Sequence, residues 1–199
     1  WVDMVLRKES ILVAGGDPVD ITIRSTIHGP IISDTYGPLK QNIETPQASF
    51  TDKAGIDLPE QYAISMRWTA LEPAKLFNAI WGFDKAENWD DFRTAARDFT
   101  VPSQNLVYAD VEGNIGYQMP GNIPIRKSGD GRLPIPGWSG EYDWQGYIPF
   151  EQLPYVLNPK SGFIATANNQ VNPWDYPNLI TTDWDYGFRA QRIVDLITS

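Results

Sequence analysis

The run Gln104-Asn105-Leu106-Val107-Tyr108-Ala109-Asp110-Val111-Glu112-Gly113-Asn114-Ile115-Gly116-Tyr117 reads as two extended segments facing each other across a turn. Leu106 to Val111 and Ile115 to Tyr117 carry the β-branched and aromatic residues that fit a pleated surface, and Gly113 stands where the reversal needs a permissive backbone. A second hairpin lies nearer the start. Ile11-Leu12-Val13 meets the turn Ala14-Gly15-Gly16-Asp17-Pro18, and Val19-Asp20-Ile21-Thr22-Ile23-Arg24 resumes with period two. Trp1 to Val5 reads as strand, His28-Gly29-Pro30-Ile31-Ile32 as a continued extended segment, and Tyr62 to Trp68 as a further strand beyond a polar, Pro-containing stretch from Tyr36 to Pro59.

Between the hairpins the period changes. Asn88 is a helix cap, Asp90 and Asp91 suit the positive end of the helix dipole, and Trp89, Phe92, Ala96 and Phe99 fall on one face, with Pro102 as the expected terminator. From Pro120 to Pro159 the chain is rich in Pro, Gly and aromatics and reads as ordered loop, because Trp138, Tyr142, Trp144, Tyr147 and Phe150 are anchors that a flexible linker lacks. Gly162 to Ala167 reads as a small-residue strand leading into Asn168-Asn169, and the last helix takes in Arg189 to Thr198. The expectation is an α+β fold of antiparallel sheets with helices.

Sixteen basic residues against twenty-five acidic ones leave a formal charge of −9, which repels phosphate backbones and argues against nucleic acid as a partner. No apolar run approaches the roughly 20 residues that cross a bilayer. With no cysteine there is no thiolate zinc site and no cysteine nucleophile. The chain opens on Trp1 without an initiator Met and stops directly after a helical run; the expectation is a stretch from inside a larger protein.

Histidine chemistry is meagre. His28 is the sole imidazole, so any Ser-His-Asp triad must use it; Ser25, Ser33 and Asp34 lie too close along one segment to converge as a triad, and there is no Gly-x-Ser-x-Gly elbow. Asp110 to Asn114 lacks the spacing of a calcium loop and is read as a turn. Asp90-Asp91 is explained by a helix start, and Asp183 with Asp185 by surface solvation. Asn168-Asn169 presents amide donors at a strand end, against the ordinary reading of Asn as a turn former. Arg189 and Arg192, three apart on the final helix, either anchor a carboxylate or a loop or are surface charges.

Taken in order, Arg24-Ser25-Thr26-Ile27-His28-Gly29-Pro30, Asn88-Trp89, Gln104 to Tyr117, Arg132-Leu133-Pro134-Ile135-Pro136-Gly137, Asp143-Trp144-Gln145-Gly146, Asn158 to Ala165, Asn168-Asn169 and Arg189-Ala190-Gln191-Arg192-Ile193 resemble the penicillin acylase (penicillin amidase) family of N-terminal-nucleophile hydrolases. The resemblance covers nearly the whole chain and points to the middle of the catalytic β subunit. It implies that residues 1–199 are a β-subunit fragment lacking the N-terminal nucleophile segment, part of the family's four-layer αββα sandwich and its insertions. The intact protein would cleave a linear acyl-amide of the penicillin or acyl-homoserine-lactone type.

In that family an autocatalytically exposed Ser at the start of the β subunit attacks, with its own α-amine as base through water. An α-amine titrates near pH 7.7 to 8.0, so no His is needed. The nucleophile and the backbone half of the oxyanion hole lie upstream of Trp1, so the fragment alone is expected to be inactive. By resemblance the side-chain oxyanion donor falls on Asn168, the supporting Arg on Arg189, and two acyl-pocket positions on Trp68 and Gln104. Gln104 stands where the family has an apolar residue, which counts against a phenylacetyl preference.

The resemblance implies no organic cofactor. A structural calcium is possible in the intact protein, but a family carboxylate aligns near Asn178, which has no charge, so no metal ligand is expected here. The implied partners are a small-molecule amide substrate, the remainder of the β subunit and the α subunit; the implied location is periplasmic or extracytoplasmic. The alternative is a non-catalytic binding or scaffold domain that kept the family fold.

Overall fold

The computed structural model describes residues 2–33 and 62–199. Asp34 and the polar stretch from Tyr36 to Pro59 lie outside the described residues. The chain forms two compact units, one of residues up to Leu71 together with Gly131–Trp138, the other of Glu72–Asp130 and Ser139–Ser199. All strand pairs among the described residues are antiparallel, and with three α-helices they make the expected α+β fold.

In the first unit, β1 (Val5–Ile11) pairs with β2 (Val19–Thr26) from Val5↔Ser25 to Ile11↔Val19. The strand therefore begins at Val5, later than Trp1, and ends before Leu12 and Val13, which join the turn; Gly16 N donates to Val13 O at 3.1 Å to close it. The extended path continues past Arg24 to Thr26, and the segment expected to follow it resumes extended at Gly29, running back antiparallel. The chain reverses over Ile27 and His28 into β3 (Gly29–Pro30), with His28 N donating to Thr26 Oγ1 at 3.1 Å. Gly29 makes this turn feasible, since its φ is +127° and a Cβ there would lie 2.2 Å from Met66 O.

Tyr62 to Trp68 is not a strand. It meets the end of β3 through one bridge, Ile31↔Ser65, flanked by Ile32 N to Ile64 O (2.8 Å) and Met66 N to Pro30 O (3.0 Å). The ladder stops because Ile64 N donates to Ser33 Oγ, and Pro30 has no N–H to offer. Ser33 is thus a buried structural hydroxyl.

The second unit is built around rings. Helix α1 (Leu76–Lys85), absent from the sequence reading, packs on α2 (Trp89–Ala96), with Phe83 and Phe92 centroids 5.1 Å apart. Trp89 stacks on Phe92, and both meet Tyr108 at 5.4 and 5.2 Å. Asn88 caps α2 by accepting from Asp91 N at 2.9 Å, while Asp91 returns a carboxylate to Glu87 N and Asn88 Nδ2. The helix ends at Ala96, well before Pro102, because Asp98 N and Phe99 N turn back to Ala95 O and Ala96 O in tighter i→i−3 bonds. That turn swings Phe99 to 6.2 Å from Phe83.

Strands β4 (Leu106–Ala109) and β5 (Ile115–Gln118) form the expected hairpin, with the reversal widened to start at Asp110. Asp110 Oδ1 accepts from Glu112 N and Asn114 N, and Oδ2 from Asn114 Nδ2 and Tyr108 Oη, so the carboxylate organises the turn. The Asn114 amide, chief among these donors, holds the Asp110 carboxyl below its ordinary pKa; burial, with Asp110 next, pushes the Tyr108 phenol up to about 12.

The segment from Pro120 to Pro159 is ordered but not all loop. It contributes β6 (Pro124–Arg126), paired with β7 (Trp144–Tyr147), and β8 (Tyr155–Leu157), which adds to the outer edge of β5. Arg93 reaches from α2 to this layer, donating to Gln118 Oε1 at 3.0 Å and to Glu151 Oε2 at 2.8 Å while lying 4.0 Å over the Tyr155 ring. Arg97 pairs with the other Glu151 oxygen.

Gly162 to Ala167 is not a strand either. Gly162 N turns back to Pro159 O at 2.9 Å, and beyond it side chains take backbone groups: Ser161 Oγ donates to Phe163 O, Asn169 Oδ1 accepts from Ala167 N at 3.0 Å, and Arg189 donates to Ala167 O at 2.8 Å. The chain closes on α3 (Phe188–Thr198), one residue longer at its start than expected.

Candidate active site

A cavity of about 350 Å³ opens in the second unit, lined by Ser103, Gln104, Asn105, Met119, Ile123, Asn168, Ile180, Thr181, Asp183 and Trp184. The β4–β5 hairpin sets one wall. Tyr117 Oη, whose pKa burial raises, donates to Asn105 Oδ1 at 2.6 Å, and Ser103 Oγ donates to Pro120 O at 2.7 Å, so the entry to β4 is tied to the exit of β5. Gly121, with φ +127°, lets Ser103 approach, since a Cβ would lie 2.8 Å from the Ser103 Cβ. Gln104 and Asn168, singled out separately in the sequence, therefore line one cavity.

Asn168 sits in the left-handed region at φ 60°, a conformation Asn tolerates better than most side chains and one that recurs at functional positions. Arg189 Nη2 donates to Asn168 Oδ1 at 2.8 Å and to Ala167 O at 2.8 Å. With its oxygen engaged by a cation, the Asn168 amide has one orientation, and nothing among the described residues accepts from its Nδ2.

Asp185, assigned to surface solvation on sequence, belongs to this cluster. Its Oδ2 accepts from Arg189 Nε and Nη2, both at 3.2 Å, its Oδ1 from Gly187 N at 3.0 Å, and its own N donates to Asn168 O at 2.8 Å. The visible signal was the short spacing of an acid and a base across the helix start, Asp185 before it and Arg189 in its first turn. Asp183 is exposed and lines the cavity, its N donating to Thr181 Oγ1 at 3.0 Å.

Trp68 belongs to the first unit, where its carbonyl accepts from Leu71 N at the start of a short 3-10 turn and its ring is more than half exposed. His28 forms the β2–β3 turn described above. Among the described residues no three or more His, Asp or Glu side chains gather as metal ligands. No described helix is long and apolar enough to cross a membrane.

The penicillin amidase family model matches residues 1–199. The chain is 30% identical over 199 residues to an acyl-homoserine lactone acylase of Pseudomonas fluorescens, covering 100% of this chain and 22% of the relative. It is 39% identical over 181 residues to the penicillin G acylase of Escherichia coli, covering 89% of this chain and 18% of that one. Among solved structures it is similar to a thermostable penicillin G acylase from Alcaligenes faecalis, with a TM-score of 0.70 and 29% identity over 98% of this chain and 31% of the other. The chain thus spans about a fifth of the length of the curated relatives it matches. Since the match runs through both units, from the β1–β2 hairpin to the helix that carries Arg189, the chain belongs to the penicillin amidase family.

Proposed function

We propose that this chain supplies one wall of the active site of an amidohydrolase that cleaves linear acyl-amides of the penicillin or acyl-homoserine-lactone type, with Asn168 as a donor of the oxyanion hole. The observation that carries the reading is the Arg189 guanidinium on Asn168 Oδ1, which leaves the amide N–H₂ as the end free to serve the cavity it lines.

The chemistry follows from what an amide carbonyl needs. The N-terminal Ser of the β subunit, carried by the rest of the protein, attacks the carbonyl carbon while its proton passes through water to the α-amine. The carbonyl oxygen becomes an anion, which the Asn168 Nδ2 donor stabilises; one such donor is worth about 10² to 10³ in rate. Collapse breaks the C–N bond, the amine leaves with the proton, and water then releases the acid from the acyl-enzyme. Arg189 serves as a positioning group, its planar fork orienting Asn168.

The cavity sets apolar Met119, Ile123, Ile180 and Trp184 beside polar Gln104, Asn105 and Thr181, which suits an acyl chain with a hydrogen-bonding group better than a bare phenyl ring. Trp68 is assigned to acyl binding by family resemblance. The 199 residues alone are inactive in this reading, their partners being the remaining β-subunit segments and the α subunit, and the enzyme acts outside the cytoplasm.

The test is Asn168→Ala in the processed protein. The expected result is a kcat lower by about 10² to 10³ with KM changed far less; an unchanged kcat removes Asn168 from the chemistry. N-terminal sequencing of the native protein is expected to give two chains, the larger beginning with Ser. A single unprocessed chain would leave the fold and replace the enzyme with a binding or scaffold domain.

A further inference from the structure

We infer that Asp185 is the positioning residue that sets the oxyanion donor, acting through both the backbone and the side chain on which Asn168 depends. The inference rests on the role proposed for Asn168.

Asp185 is a junction. Its main-chain N–H donates to the Asn168 carbonyl at 2.8 Å, pinning the backbone of a residue that sits at φ 60°. Its carboxylate divides its two oxygens: Oδ1 accepts from Gly187 N at 3.0 Å, and Oδ2 accepts from both Nε and Nη2 of Arg189 at 3.2 Å. Arg189 then spends the same Nη2 on Asn168 Oδ1 and Ala167 O, each at 2.8 Å. Gly187 is the cap residue that precedes α3, at φ 88°, so the carboxylate also fixes where the helix bearing Arg189 begins.

Without Asp185 the guanidinium, whose side chain is 59% exposed, keeps its charge but loses the anchor for one edge of its fork. It also loses its countercharge. A long exposed cation without a fixed partner samples several rotamers, and Asn168 Oδ1 is then held only part of the time. The amide nitrogen presented to the oxyanion depends on that hold.

The test uses the intact processed enzyme. Asp185→Asn is isosteric and keeps an oxygen for Gly187 N, but sets an NH₂ against the guanidinium. The expected result is a kcat per titrated active site lower by about 10-fold or more, from loss of a charge-assisted anchor, with KM and the thermal midpoint near those of the parent. In an Arg189→Ala background the same substitution is expected to change kcat by less than about twofold, because the residue it acts through is gone.

A purely structural role would lower the midpoint or the titratable fraction while leaving kcat per site intact. That outcome, an unchanged kcat, or a full additional loss in the Arg189→Ala background each overturns the inference. Should Asp185→Asn not fold, Asp185→Glu, which keeps the charge and shifts it by one methylene, enters the same cycle. Asn168→Ala run alongside separates the two failures: if it is fully active, the oxyanion reading itself falls, whereas an inactive Asn168→Ala beside a fully active Asp185→Asn removes Asp185 alone.

Discussion

Arg189 Nη2 lies 2.8 Å from Asn168 Oδ1, joining the first turn of the last helix to a loop 21 residues earlier. The guanidinium also holds Ala167 O and Asp185, so its planar fork matters as well as its charge. Arg189→Lys keeps the charge and loses the fork. It is expected to lower kcat by about 10-fold or more, from loss of a hydrogen bond to a charged group, with a smaller effect on KM; steady-state kinetics on a chromogenic amide reads both.

Gln104 lines the same cavity as Asn168, among apolar Met119, Ile123 and Ile180. Gln104→Leu replaces an amide by a side chain of similar length that demands no partner. The ratio of kcat/KM for phenylacetyl over hydrogen-bonding acyl groups is expected to rise by about 10-fold or more, measured with paired amides that share one leaving amine.

Gly116 lies in β5 beneath the Trp89 ring, where a Cβ would be 2.4 Å from Cζ3. Trp89 cannot withdraw, because it is stacked on Phe92 and packed against Tyr108. Gly116→Ala is therefore expected to destabilise the folded protein by about 1–3 kcal/mol, read as a lower denaturant midpoint with an unchanged slope.

Glu151 receives Arg93 and Arg97, whose hydrogen bonds, Arg93 first, hold its carboxyl below the ordinary glutamate value. A carboxyl with a lowered folded-state pKa contributes stability that is present above the unfolded value, about 4.3, and is lost as pH falls through the folded value. Glu151→Gln should thus be less stable than the parent at neutral pH, and the difference should close below about pH 4. Urea melts of both proteins at about pH 7, 5, 4 and 3 check the sign.

The hairpins were legible because they are local. Period two, a Gly at the reversal and β-branched residues on both sides are properties of a few adjacent residues, as is the Asn88–Asp91 cap that opens α2. Helix α1 was missed for the opposite reason. No side chain caps it at Lys75, and Phe77, Ile80 and Trp81 on its apolar side are about half exposed or more, so it shows no start signal and only part of that side is buried. Gly162 to Ala167 has the composition of a strand and becomes a loop because Ser161, Asn169 and Arg189, two of them downstream, satisfy its backbone groups.

Residue order by itself determined the family, the α+β class and the identity of Asn168, Arg189 and Gln104 as residues to watch, since each depends on a short motif or on the order of several. Tertiary structure alone decided that Gln104 and Asn168 share a cavity, that Arg189 takes the Asn168 oxygen rather than solvent, and that Asp185 is tied to both. A hydrogen bond between residues twenty or more apart leaves no periodic trace along the chain; it exists only once the helix that begins at Phe188 has packed against the loop that carries Asn168.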